Sequence, residues 1–221
     1  MVAPSLIVSR RFPEPVRLQL QVAYARAWEE LAHAHEEQVV AFVRRVRARL
    51  GTEDALHRYF REVAVPMQMQ ETVRARALLA LTPEERMYPG PASLDAPFRA
   101  DQRVDRLRRR AQYVEETNLS CRLAAAVSDE AICVTHVQMA LEVARVLEAV
   151  LPLDEALMHY IRAFELASVP AQLVFQRALA RLADGHPLFA APDAEPVVAE
   201  EPRPSRRSSI PTPIFGLRAI S

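Results

Sequence analysis

Glu30-Leu31-Ala32-His33 sets a carboxylate and an imidazole three residues apart, which on a helix places both on one face. Carboxylate-bridged di-iron sites in four-helix bundles use this Glu-x-x-His spacing. Asp54-Ala55-Leu56-His57 repeats the acid–histidine offset. A di-iron centre also needs inward-facing ligands and two further carboxylates on facing helices. His33 lies off the apolar stripe of its own helix, so both pairs read as solvated helix faces, and no metal site is expected. His35 and His136 do fall on apolar faces. They read as core histidines whose ring nitrogens find polar partners, with a proton-linked switch as the sharper alternative. Serines, histidines and aspartates occur throughout, but none sits in a nucleophile elbow or comparable setting. No catalytic or cofactor-binding residue is assigned, no cofactor is expected, and the chain is expected not to be an enzyme.

Two further groups of residues could bind rather than react. Arg99, Arg103, Arg106 and Arg110 recur at steps of four, three and four, one side of a helix that could lie against phosphates. Asp101 and Asp105 are interleaved and can pair with them, and few aromatics accompany them for base stacking. Near the C-terminus, Ser205-Arg206-Arg207-Ser208-Ser209-Ile210-Pro211 suits a basophilic kinase acting on Ser208 and Ser209. Its spacing also matches the Arg-x-x-phosphoSer-x-Pro pattern captured by arginine clusters, and Ser208-Ser209-Ile210-Pro211 resembles the Ser-x-Ile-Pro motif of microtubule plus-end binders. Ile210, Ile214, Phe215, Leu217 and Ile220 then place large apolar side chains at the end of a polar stretch. They read either as a random ending or as a short motif that docks into a groove on a partner or sister subunit.

Composition removes whole classes of function. All 28 basic residues are arginine, balanced by 28 acids. Schiff-base, P-loop and general-base lysines are therefore excluded. The balance holds locally: residues 1–98 carry 13 arginines against 12 acids and residues 99–186 carry 11 against 12, so no global basic field draws in nucleic acid. Only four glycines occur, Gly51, Gly90, Gly185 and Gly216, too few for a glycine-rich phosphate loop. Cys121 and Cys133 form neither a CxxC nor a Cys/His cluster and read as free thiols in a reducing compartment. No membrane-length apolar run and no secretory leader is present. Arg10, Arg11, Arg17 and Arg26, with only Glu14 among them, faintly resemble an organelle transit segment. Glu14-Pro15 reads instead as a helix start.

The elements that must position these residues are helices. Residues 1–13 form an arm. Between Pro15, in the first turn, and Gly51 no breaker intervenes, and Leu20, Tyr24, Trp28, Leu31, His35, Val39, Phe42, Val46 and Leu50 follow steps of four and three along one face,. Trp28, Leu31 and Phe42 are expected to be buried. Thr52 is read as the cap of a second helix, broken at Pro66. A third helix runs from about Met67 to Leu81, and Thr82-Pro83-Glu84-Glu85 opens a short fourth with a capping box. Pro89, Pro91 and Pro97 mark 89–97 as a connector between an N-terminal helical region (14–88) and a C-terminal bundle (98–186). In the latter, Val104, Leu107, Ala111 and Val114 mark one apolar stripe. Ser128-Asp129-Glu130 looks like a fresh cap, which divides this region into two helices. Ile132, His136, Met139, Val143, Val146 and Val150 mark the next stripe. Pro152 and Ser168-Val169-Pro170 open the last two helices. No repeat of fixed length is visible. Residues 187–221 hold seven of the 17 prolines, an acidic half and then a basic half, and read as a disordered tail.

The sequence thus predicts an all-α protein, a bundle of six to seven helices with a long N-terminal helix and a disordered Pro-rich C-terminal tail. The function expected is that of a non-enzymatic structural protein, an assembly or adaptor that binds protein partners, or itself, in a larger complex such as a virion, phage particle or organelle assembly. A nucleic-acid-associated helical protein using the Arg99–Arg110 face is the alternative. The expected location is intracellular, cytoplasmic or nuclear or reached by organelle import, and not secreted.

Overall fold

The computed structural model describes residues 12–90 and 103–183, with backbone only for 103–106. Among them are seven helices and no strand: α1 Glu14–Val46, α2 Thr52–Glu62, α3 Met67–Ala80, α4 Pro83–Arg86, α5 Arg103–Leu147, α6 Leu153–Ala163 and α7 Ser168–Ala183. The expected α1 stripe is the core face, with Leu20, Tyr24, Leu31, His35, Val39, Phe42 and Val46 buried. Trp28 is half-buried rather than buried, lying at the edge of the core over Phe164. No described helix is long and apolar enough to cross a membrane. The 187–221 stretch lies outside the described residues, as does most of the 89–97 connector.

Two expectations about helix ends are corrected. Ser128-Asp129-Glu130 does not start a helix, because α5 runs unbroken from Arg103 to Leu147. The Ser128 hydroxyl is buried and donates to the Ala124 carbonyl one turn back at 3.1 Å. A serine can bond backward within a helix as readily as cap one, and only its surroundings decide between the two. Nor is Thr52 a cap. Gly51 holds that place in extended conformation, and Thr52 is the first residue of α2. The Thr52 hydroxyl donates to the Glu85 carbonyl, and its N–H donates to the Tyr88 carbonyl at 3.0 Å. These bonds draw the segment after α4 across the start of α2. A Cβ on Gly51 would meet the Pro89 carbonyl oxygen at 2.6 Å, so the crossing requires glycine there. The capping box of α4 forms as expected, with Thr82 and Glu85 each bonding the other's backbone N–H.

A third correction changes the architecture: the chain contains an internal repeat. The order long helix, 11-residue helix, third helix occurs twice, α1–α2–α3 and α5–α6–α7, and α2 and α6 are both 11 residues long. Every equivalent position is displaced by 101 residues, as from His35 to His136 and from Tyr59 to Tyr160. Val46 and Leu147 end the two long helices, and Met67 and Ser168 open the two third helices, all in that register. Identities are sparse but placed on contacts. Ala55-Leu56 recurs as Ala156-Leu157, and Arg76-Ala77-Leu78 recurs as Arg177-Ala178-Leu179. Contacts recur as well. Arg76 forks onto Glu29 at 2.8 and 3.2 Å, and Arg177 forks onto Glu130 at 2.7 and 2.9 Å, each across 47 residues.

α1 and α5 pack against each other and run antiparallel. Arg26 of α1 pairs with Glu142 of α5 at 3.5 Å, while Arg49, just past α1, reaches Glu116 of α5 at 2.6 Å. Equivalent helices crossing head to tail imply an approximate two-fold axis between the halves. Each long helix carries its own third helix, α3 on α1 and α7 on α5. One contiguous core runs through both halves. Burying each of its large side chains contributes roughly 1.5–3 kcal/mol.

Candidate functional site

The densest polar chemistry in the interior is the duplicated histidine–tyrosine pair. His35 on α1 shares a hydrogen bond from Nδ1 to the Tyr59 hydroxyl on α2 at 3.0 Å, and His136 on α5 does the same with Tyr160 on α6 at 2.9 Å, each across 24 residues. Both histidines are buried. Burial holds the His35 ring down to about 4. His136 is held down to about 3, first by burial and then by His35 close by. Burial drives both tyrosine hydroxyls well above their ordinary range. All four groups are therefore neutral at pH 7. Each buried Nδ1 and the tyrosine hydroxyl it meets satisfy one another, as buried polar groups generally do,. His35 Nε2 has no hydrogen-bond partner, so the tie is incomplete on the first half.

The two places where the halves meet differ. Between α1 and α6, the Tyr24 hydroxyl bonds His159 Nδ1 at 2.6 Å, Phe12 lies 5.6 Å from the His159 ring, and Trp28 stacks on Phe164 with centroids 6.4 Å apart. Between α5 and α2, the equivalent positions carry charge and small polar groups. Arg58 contacts Glu62 at 2.7 Å and donates to Asn118 Oδ1 at 2.8 Å. Partial burial, and then Glu62 nearby, raises the Asp129 carboxyl. The Cys121 thiol is raised chiefly by burial.

The residues singled out in the sequence fall elsewhere. His33 is exposed and, among the described residues, meets Glu36 at 3.7 Å and Glu37 at 3.4 Å on its own helix. Asp54 and His57 are exposed on the rim of a shallow groove between α2 and α3. No group of three or more His, Cys, Asp or Glu side chains among the described residues could hold a metal ion. Cys121 and Cys133 are both free. Of the arginine face, Arg110 is exposed beside Arg108 and Arg109, Arg103 and Arg106 lie in the first turn of α5, and Arg99 lies outside the described residues. Ser208, Ser209, Ile210, Ile214, Phe215, Leu217 and Ile220 also lie outside them.

The apolar stripe expected at the start of α5 faces solvent along its described residues. Leu107 and Val114 are 60% and 50% exposed, and Ala111 is exposed with them. The periodicity is real, but α1 ends before reaching these turns. Sequence reasoning also missed two further exposed apolar patches, Leu18 with Val22 on α1 and Leu119 with Leu123 on α5. These are equivalent positions of the repeat, so recognising the 101-residue offset would have paired them. Compared with known protein families, curated proteins and solved structures, the chain matches none.

Proposed function

We propose that this chain is a non-enzymatic helical assembly or adaptor protein that binds protein partners within a larger complex such as a virion, phage particle or organelle assembly. One observation carries the reading: the two halves expose the same apolar positions, Leu18 with Leu119 and Val22 with Leu123, each 54–70% exposed. The equivalent core positions of both halves are buried, so this exposure is not a general loosening of the fold. Large apolar side chains held in water at matched places on two antiparallel helices favour partner contact. The antiparallel arrangement turns the two patches toward opposite ends of the α1–α5 pair, which suits bridging two like partners. The test is site-directed. A photo-crosslinking amino acid at Leu18 or Leu119, irradiated in the native source, should capture the same partner, while one at the exposed Glu37 should not. Equal labelling at all three positions would overturn the proposal.

A nucleic-acid role has one supporting feature, the exposed run Arg108-Arg109-Arg110. Glu115 and Glu116 one to two turns on oppose it. Binding of DNA or RNA that weakens steeply with salt would favour this second reading.

A further inference from the structure

The apolar seam by which α5 meets the rest of the protein does not stop where its partner helix stops. Followed toward the N-terminus of α5, it passes Ile132, Ser128, Ala125, Cys121, Asn118, Val114, Ala111 and Leu107 in alternating steps of four and three. That spacing keeps residues on one line of a helix with about 3.6 residues per turn. Ile132, Ser128, Ala125 and Cys121 are buried, Asn118 is half-buried, and Val114, Ala111 and Leu107 are exposed. The change comes where α1 has ended at Val46 and Arg49 makes the last contacts, to Tyr113 and Glu116. The seam outruns its partner by about two turns.

We propose that a second copy of this chain covers this overhang, its α5 running antiparallel to the first. Two features select this occupant. One is continuity: the exposed turns extend the seam along which α5 already packs on α1 in an antiparallel sense, so a further antiparallel helix continues the same packing. The other is self-complementary charge. Arg108 and Glu115, both exposed, lie two turns apart on the same flank of the seam. An antiparallel pairing that sets Ala111 against Val114 of the second copy also sets Leu107 against its Asn118. The same register places each Arg108 opposite the other copy's Glu115, twice by symmetry. This is the isologous pattern of a two-fold interface, in which residue i meets j and j meets i. Flanking ion pairs of this kind fix helix orientation in coiled coils. A contact of a few turns lies at the low end of interface size, so the dimer is dissociable. The inference rests on the proposed assembly role but uses a face about a third of a turn from Leu119, so the two can fail separately.

Sedimentation equilibrium of the full chain, from micromolar to hundreds of micromolar, tests it. The expected result is a reversible monomer–dimer equilibrium. Val114→Asp should raise the dissociation constant by roughly tenfold or more, because it buries a charge in the pairing layer. Arg108→Glu and Glu115→Arg should each weaken the dimer, and the double exchange should restore it to within about twofold. Helicity and melting temperature matching the unmodified chain exclude misfolding as the cause. A monomer at every concentration would overturn the proposal, whether Leu107 is then reactive to solvent labelling or shielded by another segment of its own chain. So would a dimer indifferent to Val114→Asp, or a charge exchange that fails to restore pairing. If only the dimer fails, crosslinking at Leu18 and Leu119 still stands; if only that crosslinking fails, the dimer does.

Discussion

Where α1 meets α6, Phe12, Tyr24 and Trp28 pack on His159 and Phe164. At the equivalent place, Asn118, Cys121 and Asp129 of α5 gather about Arg58 and Glu62 of α2. The halves share helix lengths, register and a histidine–tyrosine tie, yet one junction is aromatic and the other polar. Trp28 stands where Asp129 stands in the second half, and Arg58 where His159 stands. The backbone plan survives so large a change because the shared positions, among them Leu56 with Leu157 and Ala77 with Ala178, are fully or almost fully buried in both halves. What a helix must bury is held in common, while what lies at the margin is free to diverge. The difference therefore separates two kinds of adhesion within one fold, shape-driven at one junction and charge-dependent at the other.

The comparison can be broken first in the core. Phe42 and Val143 are equivalent and both fully buried. Phe42→Ala should destabilise by about 3–5 kcal/mol and Val143→Ala by about 2 kcal/mol, in proportion to the volume removed. Chemical denaturation of the two variants measures this, and equal losses would mean that the sites are not packed alike.

Acid is the next probe. The folded-state values of His35 and His136, about 4 and about 3, lie below the unfolded value near 6.5. The unfolded chain therefore binds the extra protons. Stability from these neutral rings is fully present above about pH 6.5 and is lost as pH falls through the folded values. For His35 alone the loss is on the order of 3 kcal/mol. Melting temperature should be level near neutrality and fall from about pH 6 toward pH 4, and His35→Gln should flatten that decline. Imidazole resonances that titrate at the ordinary position would contradict the burial of the pairs.

The smallest effects sharpen the contrast between the junctions. Tyr24→Phe removes the bond to His159, and Arg58→Met removes the bond to Asn118 and the contact with Glu62. Each should cost about 1 kcal/mol. Salt distinguishes them: the Arg58→Met penalty should shrink as ionic strength rises, because it is partly ionic, while the Tyr24→Phe penalty should hold. Denaturant midpoints in low and high salt decide this, and identical salt responses would show that the junctions do not differ in kind.

The helices were legible in the chain because helical periodicity is local. Leu20 to Val46 at steps of four and three, Gly51 and Pro66 as breaks, and the Thr82–Glu85 capping box each act within one or two turns of backbone. His35 and His136 were legible as core histidines for the same reason. Thr52 and Ser128 were misread because a hydroxyl that can cap can also bond elsewhere, and its neighbours in space decide: the Glu85 carbonyl for one, the preceding helical turn for the other. The repeat stayed hidden because its identities are few and sit 101 residues apart, joined by packing rather than by a local pattern. The apolar stripe of Leu107, Ala111 and Val114 was readable as a stripe, but its exposure depended on where another helix ends. The sequence alone determined that the chain is helical and which face of each helix is apolar, since backbone hydrogen bonding and side-chain spacing are set within a few residues. Only the tertiary structure decided that the two long helices are copies, that they cross antiparallel about paired histidines, and which apolar faces are left in water, because those facts depend on which segment lies opposite.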